Sequence, residues 1–269
     1  MPPAEPSSAR SLFRSPPLWA AHLRGKKVAG RRLATLTAYD YPTARILDSC
    51  GLDFLLVGDS LGMVVLGHPD TTGVTMNDMC HHTRPVARGA EHTAVVTDMP
   101  VGSVGAEAVA NAQLLRTAGA DAVKIEGGLE SLDAISAVIA EGIPVVGHLG
   151  MLPQRVREEG GYKIKGRKDS ESAGLLESAR ALDRAGVAAI VLELVHPPVA
   201  VEISNQISCP TIGIGSGPGC DGEILVFHDL VGLSPWFRPP FAKPLEHLAE
   251  RIQAAATSYA AEVRKLGKS

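Results

Sequence analysis

Four short apolar runs each end in a carboxylate: FLLVGD with Asp59, AVVTDMP with Asp98, AVKIEGG with Glu126 and AIVLELV with Glu193. A fold that gathers these ends must neutralise their repulsion with a metal, a cation or shared protons. Asp59, Asp98 and Glu126 offer only hard oxygen donors. Those suit Mg²⁺, Mn²⁺ or Ca²⁺ better than zinc or copper, which prefer imidazole or thiolate. A competing reading makes some of these acids helix caps or turn carboxylates, as for Asp59 ahead of Ser60 and Gly62. Lys124 precedes Glu126 by two residues, so on a strand both share one face. Pointing inward, the ammonium needs carboxylates or an anionic ligand; pointing outward, it would snorkel between helices. His148 ends the run VVGHLG, where it serves either as a donor to a bound ligand or as a structural group. Glu193, held in an apolar setting, has the character of a proton acceptor whose pKa burial raises toward neutrality.

The segments that must position these groups are regular. A helical stretch repeatedly ends in glycine before an apolar run, at Gly51, Gly119, Gly142 and Gly186. Glycine accepts the left-handed turn at a helix end, and runs without polar alternation suit parallel strands covered on both faces. The expected strands are 33–37, 54–59, 94–99, 122–127, 143–148, 189–194, 210–215 and a weaker 224–229. Expected helices are 42–50, 75–90, 105–118, 129–141, 171–185, 197–207 and about 244–265. Eight β/α alternations predict a single-domain (β/α)₈ TIM barrel, with Asp59, Asp98, Glu126 and Glu193 at its C-terminal mouth. Glu193 then lies across the mouth from the second and third strands, away from the metal-side trio. A doubly wound open sheet is the alternative, but LTAYDYP after the first run is no nucleotide loop.

Bulk properties narrow the rest. The 269 residues are 45% hydrophobic and carry a formal charge of −3, so they favour one large domain with no attraction to nucleic acid or anionic membrane. No apolar run approaches a membrane span of about 18 residues, and the N-terminus lacks a hydrophobic signal core. Cys50, Cys80, Cys209 and Cys220 have no CxxC spacing and read as reduced thiols of a cytoplasmic protein. Residues 1–16, rich in Pro, Ser and Ala, are expected to be a flexible tail, with a transit peptide as the alternative; residues 17–269 form the catalytic barrel. His68, His81, His82, His92, His196 and His228 show no metal-ligand spacing. GIGSGPGCDGE (213–223) falls where many barrels bind phosphate, and the basic GGYKIKGR (160–167) reads as a lid or a solvated loop.

Seven segments resemble the ketopantoate hydroxymethyltransferase family: LTAYDYPTAR (36–45), VGDSLGMVVLGH (57–68), HTRPVARGA (82–90), VKIEGG (123–128), GHLGMLPQ (147–154), GGYKIKGR and PTIGIGSGPGCDGEILVFHDLVGL (210–233). The resemblance implies Mg²⁺ on Asp59, Asp98 and Glu126, a 2-oxo acid contacting Asp59, Ser60, Asp98, Lys124 and His148, and Glu193 as catalytic base. It further implies one-carbon transfer from 5,10-methylenetetrahydrofolate to 3-methyl-2-oxobutanoate, giving 2-dehydropantoate for pantothenate, in a large homo-oligomer, typically a decamer. Departures lie in loops near the mouth. Val101-Gly102-Ser103-Val104 replaces an FGSY-like segment and shortens the loop, TTGVT (71–75) replaces TLPVT, LELVHPP (192–198) replaces LE-x-VP, and Leu152 stands where Thr is common. These make the acceptor and folate use less firmly implied than metal binding. Alternatives are a paralogue acting on another 2-oxo acid, a lyase, hydrolase or mutase of the phosphoenolpyruvate mutase/isocitrate lyase type, and a non-catalytic scaffold.

Overall fold

In a computed structural model, residues 12–236 and 239–266 are described. They fall into two compact units, one through Ile224 and one from Leu225 onward. In the first, the strands β1 (Leu33–Thr37), β2 (Phe54–Val57), β3 (Ala94–Asp98), β4 (Ala122–Glu126), β5 (Val145–Gly150), β6 (Ala189–Glu193) and β7 (Thr211–Ile214) run in sequence order. With β8 (Gly222–Leu225) they close a parallel barrel. The expected (β/α)₈ fold is therefore observed. Intervening helices cover the outside, which is why strands such as β3 and β4 are buried at every position.

Alternation along the strands decides what fills the barrel. Phe54 and Leu56, Ala94 and Val96, Ala122, Val146, Ala189 and Val191, Ile212 and Ile224 form one buried cluster. A helix over Pro16–Val28, which the sequence reading did not anticipate, adds Trp19, Ala20 and Leu23 to that cluster. Trp19 stands edge-on to Phe54 with ring centroids 6.1 Å apart. Its three buried residues occupy one helical face, so the helix closes the floor. The expected tail over 1–16 lies outside the described residues up to residue 11. At its end, Phe13 packs on the same cluster and Arg14 pairs with the buried Asp121 at 2.9 Å.

The last strand differs from its expected range of 224–229. It begins at Gly222, in register with Ile212, and stops at Leu225, after which Phe227–Leu230 is helical. A Cβ at position 222 would meet the Leu33 carbonyl at 2.5 Å, so closure against β1 requires glycine there. The loop-like residue is thus part of the seam. In the second unit, Leu248–Leu266 is a helix, and Leu245 N–H donates to the Leu230 carbonyl at 2.8 Å. Among the described residues, no helix is long and apolar enough to cross a membrane.

Candidate active site

The residues that line the floor also set the direction of those above them. Side chains two apart on a strand share a face. Asp98 follows Val96, Lys124 and Glu126 follow Ala122, His148 follows Val146, and Glu193 follows Val191. All five therefore point into the barrel above its apolar floor. Strand register places them side by side: Asp98 opposes Lys124, Glu126 opposes His148, and Gly150 opposes Glu193.

A line of contacts runs across the mouth. Asp98 Oδ1 lies 2.8 Å from Lys124 Nζ, which lies 3.1 Å from His148 Nδ1. His148 Nε2 stands 3.4 Å from Glu193 Oε2. Asp59, just past β2, joins through its backbone N–H, which donates to Asp98 Oδ2 at 3.0 Å. Ser60 follows, with its hydroxyl 2.8 Å from the Tyr39 hydroxyl. The outward-lysine reading of Lys124 is set aside, since Lys124 is only 5% exposed and faces carboxylates.

Burial sets the charge states. It works against the Lys124 ammonium, but Asp98, Glu126 and Asp59 outweigh it and hold the pKa above its ordinary value. Burial, reinforced by the Lys124 charge, holds His148 well below its usual range, so the imidazole is neutral. With an ammonium donating to Nδ1, the ring proton belongs on Nε2, facing Glu193. Burial pushes Glu193 up to about 8 against the pull of Lys124. Burial and then the Asp98 charge push Asp59 up to about 7, and burial raises Glu126 well above the carboxylate range.

Asp59, Asp98 and Glu126 are gathered at the mouth. Yet among the described residues no three His, Cys, Asp or Glu side chains are arranged to hold a metal ion by themselves. Glu126 Oε1 is buried without a hydrogen-bond partner, 3.5 Å from His148 Nδ1. The sequence alone assigns no role to Gln154, which ends the segment GHLGMLPQ. Its side-chain amide donates to Asp59 Oδ2 and to the Met99 carbonyl, both at 2.9 Å, and its backbone N–H donates to Glu126 Oε2 at 3.2 Å. The one signal available was a polar residue after proline at the end of a strand. Tyr39, which supports Ser60, was missed in the same way.

The basic segment 160–167 is more than a solvated loop. Lys165 N–H donates to the Leu194 carbonyl and its carbonyl accepts from His196 N–H, each at 2.8 Å, tying the segment to the end of β6. Leu194 itself has φ +47°, a strained value for leucine, directly after Glu193.

Fold and site together define a (β/α)₈-barrel enzyme with buried acid–base groups at the strand ends. The chain belongs to the ketopantoate hydroxymethyltransferase family, whose sequence profile matches residues 18–267. Proteins named 3-methyl-2-oxobutanoate hydroxymethyltransferase are 50% identical in Ignicoccus hospitalis, over 87% of this chain and 90% of that protein. The Syntrophus aciditrophicus protein of that name is 47% identical over 90% of each chain. Among solved structures, 2,3-dimethylmalate lyase, a PEP mutase/isocitrate lyase superfamily member, superposes with TM-score 0.59 at 19% identity, covering 91% of this chain and 88% of its own. Phosphonopyruvate hydrolase in complex with oxalate and Mg²⁺ superposes with TM-score 0.58 at 14% identity, covering 93% and 88%. At such identities the structures share the fold, whereas the sequence relatives place the chain in its family.

Proposed function

We propose that this chain transfers a hydroxymethyl group from 5,10-methylenetetrahydrofolate to 3-methyl-2-oxobutanoate, giving 2-dehydropantoate, with Mg²⁺ as cofactor. The observation that carries this reading is Glu193, a carboxylate only 13% exposed and raised to about 8, which faces a neutral imidazole across a mouth lined by three further acids. A base with that pKa suits removal of a weakly acidic C3 proton at neutral pH.

The donor set fits the metal. Asp59, Asp98 and Glu126 would hold Mg²⁺, and the unpartnered Glu126 Oε1 and the raised Asp59 and Glu126 mark carboxylates that a cation would settle. Mg²⁺ commonly takes only one or two carboxylates, with water and substrate oxygens completing its shell, so no preassembled three-donor cage is needed. When bound, it supplies Lewis-acid stabilisation of negative charge on the keto oxygen.

The chain's own groups do the rest. Ser60, Lys124 and His148 contact the 2-oxo acid, beside Asp59 and Asp98, and Lys124 brings a positive charge to its carboxylate. Glu193 takes the C3 proton, and C3 then bonds to the one-carbon unit. Both bonds from that carbon to the folate nitrogens N5 and N10 break in turn, water supplies the hydroxyl oxygen, the proton taken from C3 and one from water end on the two nitrogens, and tetrahydrofolate leaves. The altered loops at Val101–Val104 and Thr72–Gly73 are the places where acceptor choice would be set. We also infer a homo-oligomer, supported by the helix Leu248–Leu266, which leaves Ile252, Tyr259 and Val263 at least 49% exposed.

The test is a panel of 2-oxo acids incubated with methylenetetrahydrofolate and Mg²⁺, read by product mass. The expected product is 3-methyl-2-oxobutanoate plus one CH₂O unit, formed only with folate and metal present. Turnover of a different 2-oxo acid alone, or cleavage without folate, would replace this reading.

A further inference from the structure

We infer that Gln154 is a positioning residue that presets the carboxylates of Asp59 and Glu126 for a divalent cation. The inference rests on the metal reading above and concerns a residue to which that reading gives no part.

Gln154 sits in a single 3-10 turn, Pro153–Arg155, directly after β5. Proline at the first position of such a turn fixes the backbone with no N–H of its own. The next N–H, that of Gln154, is one of the donors a helical start leaves unsatisfied. Here it is used by Glu126 Oε2 at 3.2 Å. Pro153 is buried and Leu152 only 8% exposed, so the turn is anchored rather than free to swing.

The side chain extends the same pattern to a second acid. Its terminal amide lies 2.9 Å from both Asp59 Oδ2 and the Met99 carbonyl. The Met99 carbonyl can only accept, so the end facing it and Asp59 must be the NH₂ group, and a glutamate there would meet two oxygens with a third. One residue thus donates to one oxygen of Asp59 and one oxygen of Glu126. In each case the second oxygen is left for another partner, and Glu126 Oε1 is the buried atom found without one.

Fixing one oxygen of each carboxylate limits the rotation that a cation would otherwise have to arrest. Hydrogen-bond partners behind metal-binding carboxylates typically change affinity about 10–100-fold.

The experiment compares wild type with Gln154→Met, which keeps the volume and loses the donor. Mn²⁺ affinity is read by titration, and the melting temperature by heating metal-free protein. The expected result is Mn²⁺ affinity at least about tenfold weaker with the metal-free melting temperature close to wild type. The effect should also vanish in an Asp59→Asn background, because it runs through Asp59. Equal Mn²⁺ affinity in the two proteins, or a loss that persists unchanged in the Asp59→Asn background, would overturn the assignment. A lowered melting temperature with unchanged affinity would make Gln154 merely structural, and likewise overturn it. If Gln154→Met does not fold, Gln154→Asn takes its place: the shorter amide should weaken affinity by a smaller factor, and no weakening refutes the proposal. A wild type that fails to bind Mn²⁺ would instead refute the metal reading itself, and the two failures are distinguishable.

Discussion

The floor and the mouth of this barrel are built from the same strand faces, two residues apart, and do opposite energetic work. At the floor, Leu56, Val96, Val146 and Val191 meet one another and Trp19. One step higher on the same faces stand Asp98, Lys124, His148 and Glu193, nearly as buried. Burial of apolar surface stabilises by about 25 cal/mol per Å², whereas burial of charge is repaid only by close partners. The contrast shows that height along the strand, not depth from the surface, separates what holds this protein together from what it is for.

The sharpest way to break that division is to remove the floor's largest side chain. Trp19→Ala leaves a cavity under Phe54 and should cost about 3–5 kcal/mol, measured by urea denaturation. Activity per folded molecule should hardly change, because Trp19 touches none of the charged groups. A variant that stayed folded yet lost turnover in proportion would mean that floor and mouth are one coupled unit.

The mirror-image change is Glu193→Gln at the mouth. The amide keeps the shape but cannot accept a proton, so deuterium exchange at C3 of the 2-oxo acid should fall about 10²–10⁴-fold. Binding of the 2-oxo acid, followed by thermal shift with Mg²⁺, should persist. Exchange at the parent rate would remove Glu193 as the base.

This division also explains what the sequence could reveal. The strand runs were legible because parallel strands covered on both faces are continuously apolar, and the acids were legible because they interrupt those runs. Lys124 followed from its spacing to Glu126. The helix Pro16–Val28 was not legible, because its buried face is only Trp19, Ala20 and Leu23 on an otherwise basic, exposed segment. Gly222 looked like loop because the reason for glycine is Leu33, nearly two hundred residues earlier in the chain. Gln154 escaped because its partners, Asp59, Met99 and Glu126, come from three other strand ends. Alternation is a local property and shows in a sequence; partnership across the mouth depends on closure and does not.

A smaller effect sharpens the comparison most directly, because it concerns stability at the mouth alone. Glu193, raised to about 8, and Asp59, raised to about 7, keep their protons in the folded metal-free protein at pH values where the unfolded chain has released them. The folded state then binds more protons, so stability falls as pH rises. Their contribution is fully present below the unfolded pKa values near 4 and is lost as pH climbs through about 7 and 8. Chelated protein should therefore have a lower urea midpoint at pH 8.5 than at pH 6, the reverse of the trend set by salt-bridged acids. Glu193→Gln removes part of that slope and should be more stable than its parent by about 1–3 kcal/mol at the higher pH, with the gap narrowing at the lower. Leu56, Val96, Val146 and Val191 at the floor carry no titrating group and predict no such slope, so equal pH dependence in parent and variant would show that Glu193 is not held as a neutral acid in the metal-free mouth.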